Sequence, residues 1–199
     1  MPKKTLLIAV GAIVAALLLC GGCAASSYNN LVSLDQAVKS QWAQVQNAYQ
    51  RRLDLVPNLV ETVKGAANFE RETLTAVTEA RTRAVQAAPR GNAPDDPQAI
   101  QRFQQAQDQL GGALGRLMVV VERYPELKAT QNFRDLQAQL EGTENRISVE
   151  RMRYNEAAQQ FNSKRQSFPT VLYAGMFGFQ PKSYFEAAAG AEKAPQVKF

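Results

Sequence analysis

The chain of 199 residues contains no histidine, and its two cysteines, Cys20 and Cys23, both stand at the end of an N-terminal apolar run. The region beyond them therefore has neither imidazole nor thiol. Ser-His-Asp and Cys-His nucleophile systems, histidine- or cysteine-rich zinc sites and Glu-x-x-His di-iron bundles are excluded there, and no disulfide framework is available. Charge is also thin. The formal charge of +5 includes Lys3 and Lys4, and without them 23 − 2 = 21 basic side chains face 18 acidic ones, spread along the chain. No basic cluster with interleaved aromatics occurs, which argues against nucleic-acid binding. No cofactor is coded and no small-molecule substrate is evident.

What is present begins with a membrane-directing segment. Lys3 and Lys4 precede an unbroken run of apolar residues and glycine over 6–19, continuing more weakly to Ala25. As a helix, 6–25 spans about 30 Å, roughly one bilayer core, while 6–19 alone has the size of a signal sequence's apolar region. The lysines place the N-terminus in the cytoplasm and the remainder outside it. Gly21-Gly22-Cys23 also looks like a bacterial lipoprotein signal, making Cys23 a lipidation candidate, although Cys20 stands where such signals usually carry leucine. A retained transmembrane helix and a lipid-modified Cys23 are both open.

From Tyr28 the pattern becomes amphipathic. Leu31, Leu34, Val38, Trp42, Val45, Tyr49, Leu53, Val56, Val60 and Val63 keep helical steps. Leu74, Val77, Ala80 with Arg81, Ala84 and Val85 continue the phase to about Ala88, which predicts one very long helix stopped by Pro89. Pro57 lies within it and removes the hydrogen bond to the Leu53 carbonyl, so a kink or a break is expected. Opposite the apolar face of 51–65, Arg51, Asp54, Asn58 and Glu61 form a polar stripe in which Arg51 and Asp54 are spaced to pair. Residues 89–97 read as a loop, with Asp96 as the cap and Pro97 as the first residue of a second helix. That helix carries Ile100, Phe103, Gln107, Leu110, Leu114, Leu117, Val121 and Tyr124, and Gly111, Gly112 and Gly115 suggest close approach of a neighbouring helix. A phosphate-cradling loop is the sharper reading of the glycines, but no strand precedes them and neither GK[ST] nor GxGxxG spacing is present.

The third helix shows a seven-residue repeat, Phe133, Leu140, Ile147, Tyr154, Phe161 and Phe168, and is expected to pack on the first, with Asn155 and Asn162 fixing register along the seam. The aromatic segment 171–185 reads as a lid over the bundle, or else as an exposed segment that meets a membrane or a partner. The expected division is an anchor over 1–27, a helical bundle over 28–186 and a mobile tail over 187–199.

Several motifs together carry a family resemblance. Tyr28-Asn29-Asn30-Leu31-Val32, Gln41-Trp42, RRLDLVPNLVETVKG at 51–65, Glu79-Ala80-Arg81, Tyr124-Pro125-Glu126-Leu127-Lys128-Ala129, Asn132-Phe133, Arg153-Tyr154-Asn155 and Phe168-Pro169 resemble the LemA family from residue 28 to about 185. The resemblance implies an all-α antiparallel bundle of long helices behind an N-terminal membrane anchor or lipoprotein signal, in the bacterial envelope. It implies no known reaction, and it points to work beside membrane proteases or envelope-stress systems.

The functional expectation is a non-enzymatic, membrane-anchored helical scaffold or adaptor, with a protein partner or a second copy meeting Arg51, Asp54, Asn58 and Glu61. The alternatives are a bundle that binds the lipid surface, and a hydrolase using paired carboxylates such as Glu61 and Glu144.

Overall fold

The computed structural model describes residues 3–65, 70–89, 91 and 96–186, with the side chains of residues 3–6, 8, 9, 16, 17 and 20 excepted. The region 187–199, expected to be a tail, lies outside the described residues. All regular structure among those described is helical: α1 (Lys3–Lys64), α2 (Arg71–Ala87), α3 (Pro97–Val121), α4 (Pro125–Lys128), α5 (Gln131–Gln166) and a 3₁₀ turn at Thr170–Leu172.

The expected single helix from Tyr28 to Ala88 is corrected to two. α1 ends at Lys64, and α2 returns antiparallel beside it, so that Arg81 stands opposite Leu53. The apolar phase of α2 matches that of α1 because both helices face the same core, which is why periodicity alone could not separate them. Gly65, in a turn directly after Lys64, marks the stop.

Pro57 does not break α1, which runs through it without interruption. A proline has no N–H to give the carbonyl four residues earlier, leaving the Leu53 oxygen without its helical donor. Arg81 Nε supplies one from α2, at 2.9 Å. The missing bond of one helix has become a tie to the next.

α3 starts as its sequence predicts. Pro97 occupies the first turn and the Asp96 carboxylate accepts from Gln98 N at 2.9 Å. Its glycines lie inside the helix and form no loop. A Cβ at Gly111 would stand 2.9 Å from Arg52 Nη2, whereas Gly112 and Gly115 have nothing within 4 Å. The close approach thus comes from one arginine side chain and at one glycine. α5 packs antiparallel along α1, with Arg51 opposite Gln139 and Trp42 opposite Tyr154. Of its heptad positions, Phe133, Ile147, Tyr154 and Phe161 are buried, Leu140 is partly buried, and Phe168, beyond the helix end, is exposed.

Two hydrophobic clusters result. The one towards the α1–α2 turn is aliphatic, built from Leu53, Val56, Leu59, Val63, Leu74, Val77, Leu110 and Leu117 with Phe133 at its end. The other surrounds Trp42, whose ring lies 5.6–6.0 Å from those of Tyr154, Phe103 and Phe185. Between them the buried positions turn polar, at Arg52, Gln107 and Thr143. α2 ends near the level of Gln46, which donates to the Pro89 carbonyl at 3.1 Å, while the first turns of α3 still bring Ile100 and Phe103 to Trp42. Beyond the end of α2, the chain after α5 adds Ala174 and Phe185 to the core.

Candidate functional site

The segment 179–186 crosses the aromatic core in non-helical conformation, so its backbone groups need partners from elsewhere. Amide side chains provide them. Asn155 donates to the Phe185 carbonyl and accepts from Phe185 N, both at 2.9 Å, and Asn162 does the same with Lys182 at 2.8 Å. Gln104 of α3 makes a matching pair with Glu186, at 3.1 and 3.3 Å. Each amide presents one donor and one acceptor, as a neighbouring strand would, so three side chains clasp a strap that pairs with no strand. The expected register role of the asparagines is refined: they fix the strap to the helix. Arg165 Nε reaches the Phe179 carbonyl at 2.8 Å and Tyr154 OH the Ser183 carbonyl at 3.1 Å.

The strap is also tied to α1 by charge. Lys182 Nζ stands 3.0 Å and Lys39 Nζ 2.8 Å from the Asp35 carboxylate. Burial of Asp35 by itself raises its pKa, but hydrogen bonding and attraction to the two lysines outweigh that and hold it below the ordinary carboxylate value. In the aromatic core, burial pushes the Tyr49 phenol up to about 12.

The polar stripe lies on α1 as expected, with Arg51, Asp54, Asn58 and Glu61 all exposed. Its internal pairing differs. Arg51 donates to Gln139 across to α5 at 2.9 Å, while Asp54 accepts from Gln50 at 2.7 Å, because each has a closer partner on its own flank than the other. Glu61 pairs with Lys64 at 2.7 Å, and the Asn58 carbonyl accepts from Thr62 Oγ1 at 2.8 Å.

The stripe leads to a cleft of about 730 Å³ at the α1–α2 end of the molecule. Thr62 and Gly65 line one side, and Arg123, Tyr124, Glu126, Thr130 and Asn132 the other. The wall is formed by α4, whose Pro125 sits at the first turn and whose Leu127 drops into the aliphatic core, followed by Thr130 capping α5 at Phe133 N. α3 ends at Val121, short of the Tyr124 expected on its face, and Pro125 starts a separate short helix before α5 that periodicity did not reveal. Across the same end Arg123 meets Glu70 at 2.7 Å.

The carboxylate pair Glu61 and Glu144 is not brought together. Glu144 pairs with the buried Arg52 at 3.1 Å, more than two helical turns along α1 from Glu61, which pairs with Lys64. Each carboxylate is paired with a cation of its own, and the two do not share a site. Arg52, Gln104 and Arg81 went unrecognised as structural tie points in the sequence; for Arg81 the signal was the proline that orphans Leu53.

At the other end, α1 continues from Tyr28 towards its N-terminus with Leu7, Val10, Ile13, Val14, Leu18 and Leu19 exposed, and Cys23 is free and exposed on the same helix. Among the described side chains, Leu31 is the first that is fully buried. Among the described residues no helix is long and apolar enough to cross a membrane, but Leu6, Ile8, Ala9, Ala16, Leu17 and Cys20 of the expected anchor have side chains outside that description.

Among curated proteins the chain is similar to magnetosome protein MamQ 1 and magnetosome protein MamQ 2 of Paramagnetospirillum magneticum (strain ATCC 700264 / AMB-1). Each is 28% identical over 175 residues, covering 80% of this chain and 64% of the relative's length. The chain thus spans less than two thirds of the relatives it matches. The profile of the LemA family matches residues 41–199, which takes in the stripe, the amide clasp and the cleft. On that match, the all-helical chain belongs to the LemA family.

Proposed function

We propose that the protein is a non-enzymatic, membrane-anchored scaffold or adaptor of the bacterial envelope, held by residues 1–27, with the bundle over 28–186 outside the cytoplasm. The single observation that carries this reading is α1 itself: one helix bears bare apolar side chains at its start and an exposed polar stripe near its end. From Tyr28 to Glu61 the rise is about 50 Å, so Arg51, Asp54, Asn58 and Glu61, with the cleft beyond them, stand well away from the anchored end. The partner is an envelope protein, in the reading implied by the family a membrane protease or stress-response component, or a second copy of the bundle. The anchor is a single transmembrane helix in the inner membrane; lipid attached through Cys23 is the alternative mode.

The test is mild cross-linking of the full-length tagged protein in its native membranes, followed by mass spectrometry of what co-purifies. Charge reversal at Asp54 and Glu61, both solvent-exposed, is expected to remove a reproducible partner without changing membrane retention. Recovery of the same partners by the reversed variant would overturn the role of the stripe. The N-terminal peptide in the same experiment reports whether Cys23 carries lipid.

A further inference from the structure

The strap is preceded by a segment whose apolar side chains face outwards. Between Phe168 and Phe177, Phe168 is 80% exposed, Leu172 67% and Met176 85%, with Val171 and Phe177 half exposed. No charged residue occurs from Phe168 to Phe179. A polar loop would be expected at a freely solvated end of a bundle, and this apolar cluster is concentrated where α5 has ended and no other described element covers it.

Its location identifies what it meets. Tyr28 of α1 packs edge-on against Phe177 at 5.2 Å and against Phe179 at 5.7 Å. Tyr28 follows the apolar run by three residues, a rise on the order of 5 Å along the helix. The exposed loop therefore sits beside α1 at the level where a helix anchored through that run leaves the hydrocarbon, the level at which tyrosine and other aromatic rings favour a bilayer.

The loop goes part of the way towards the condition lipid imposes on backbone, as suits an interface more than the hydrocarbon. Polar backbone groups enter an apolar medium only when paired internally. Here Val171, Leu172, Tyr173, Ala174, Phe177, Gly178 and Phe179 all donate to carbonyls of the segment 167–175, at 2.9–3.2 Å. Directly before it, Lys164 and Arg165 close α5, placed to meet phosphate headgroups while the loop lies deeper.

We infer that the 168–177 loop is a second membrane contact, inserting Phe168, Leu172 and Met176 into the bilayer interface next to the exit of α1, so that the bundle is held at two points and its orientation is set. This rests on the anchoring reading above, and the experiment separates the two. Full-length protein is reconstituted in phosphatidylcholine and phosphatidylglycerol vesicles whose acyl chains are brominated close to the glycerol. Met176→Trp and, in parallel, Phe168→Trp are compared with Asn145→Trp, which lies about 30 Å back along α5. The native Trp42 is buried and gives the background signal.

The expected result is flotation of every variant, with the added emission at 176 and 168 quenched by the brominated lipid and that at 145 untouched. Flotation without quenching at 176 and 168 overturns the loop contact and leaves the anchor standing. Loss of flotation overturns the anchor and the loop contact with it. Blue-shifted emission at 176 that neither brominated lipid nor aqueous iodide quenches shows a protein cover, such as a second copy, and also overturns the proposal.

Discussion

The two halves of the bundle solve the same burial problem with different materials. Towards the α1–α2 turn four long helical segments surround the core, and leucine, valine and alanine are enough to fill it. Towards Tyr28, α1 and α5 continue with only the first turns of α3, and the space left by α2 is filled by Trp42, Phe103, Tyr154, Phe161 and Phe185 under a strap. Helices satisfy their own backbone, so the first half needs few polar ties. The strap cannot, so the second half spends Asn155, Asn162 and Gln104 on it. Fewer helices mean larger rings and more side-chain hydrogen bonds.

The largest effect that tests this contrast is Trp42→Ala. Removing the central ring should cost about 3–5 kcal/mol in denaturant unfolding and abolish the aromatic near-ultraviolet dichroism. Leu59→Ala, in the aliphatic half, should cost a comparable or somewhat smaller amount, about 2–5 kcal/mol, while leaving that dichroism in place. If both substitutions erased the aromatic signal equally, the halves would not be separate packing units.

Asn162→Ala strands the Lys182 N–H and carbonyl and should cost about 1–3 kcal/mol. Hydrogen exchange is expected to speed up at Lys182 and Phe185 but not at amides of α1 around Leu59. Uniform acceleration throughout would show that the strap opens only with the whole molecule.

A smaller effect belongs to the tie between α1 and α2. Arg81→Ala should cost about 1–2 kcal/mol because the Leu53 carbonyl loses its donor. In a Pro57→Ala background the restored N–H can serve that carbonyl, so the same Arg81 substitution should cost less. Additive costs in this double-mutant cycle would rule out the exchange of donors.

The smallest concerns Asp35. Its folded pKa lies below the unfolded value, so the stability it contributes is fully present above the ordinary aspartate value of 3.8 and is lost as pH falls through the lower folded value. The contribution is expected to be about 1 kcal/mol, and acid titration of Asp35→Asn should lack that component. An unchanged acid profile would remove the Asp35–Lys182 pair from the account of how the strap is held.

Much of this contrast was written in residue spacing. Heptad positions from Phe133 to Phe161 placed α5 on α1, and Asp96-Pro97 set the start of α3. Spacing failed where one phase served two helices, between Val63 and Leu74, because a hairpin that returns to the same core keeps its apolar rhythm. It also failed for α4, a single turn too short to show a period. The stripe was legible as a face, yet the partners of Arg51 and Asp54 were not, since they depend on Gln139 and Gln50, whose distances no pattern encodes. The clasp was half visible: Asn155 and Asn162 stand seven apart on one face, but the strap they hold has no periodicity.

α1 has a mechanical meaning as well. A continuous helix of 62 residues is a shaft about 90 Å long, and turning one end turns the other through nearly the same angle, because twist is resisted by every hydrogen bond along it. The one bond Pro57 deletes is replaced sideways by Arg81, which ties the shaft to α2 at that point. With Leu31 to Val63 packed into the core, the exposed face of Asn58 and Glu61 keeps a fixed rotational setting relative to Tyr28 at the other end.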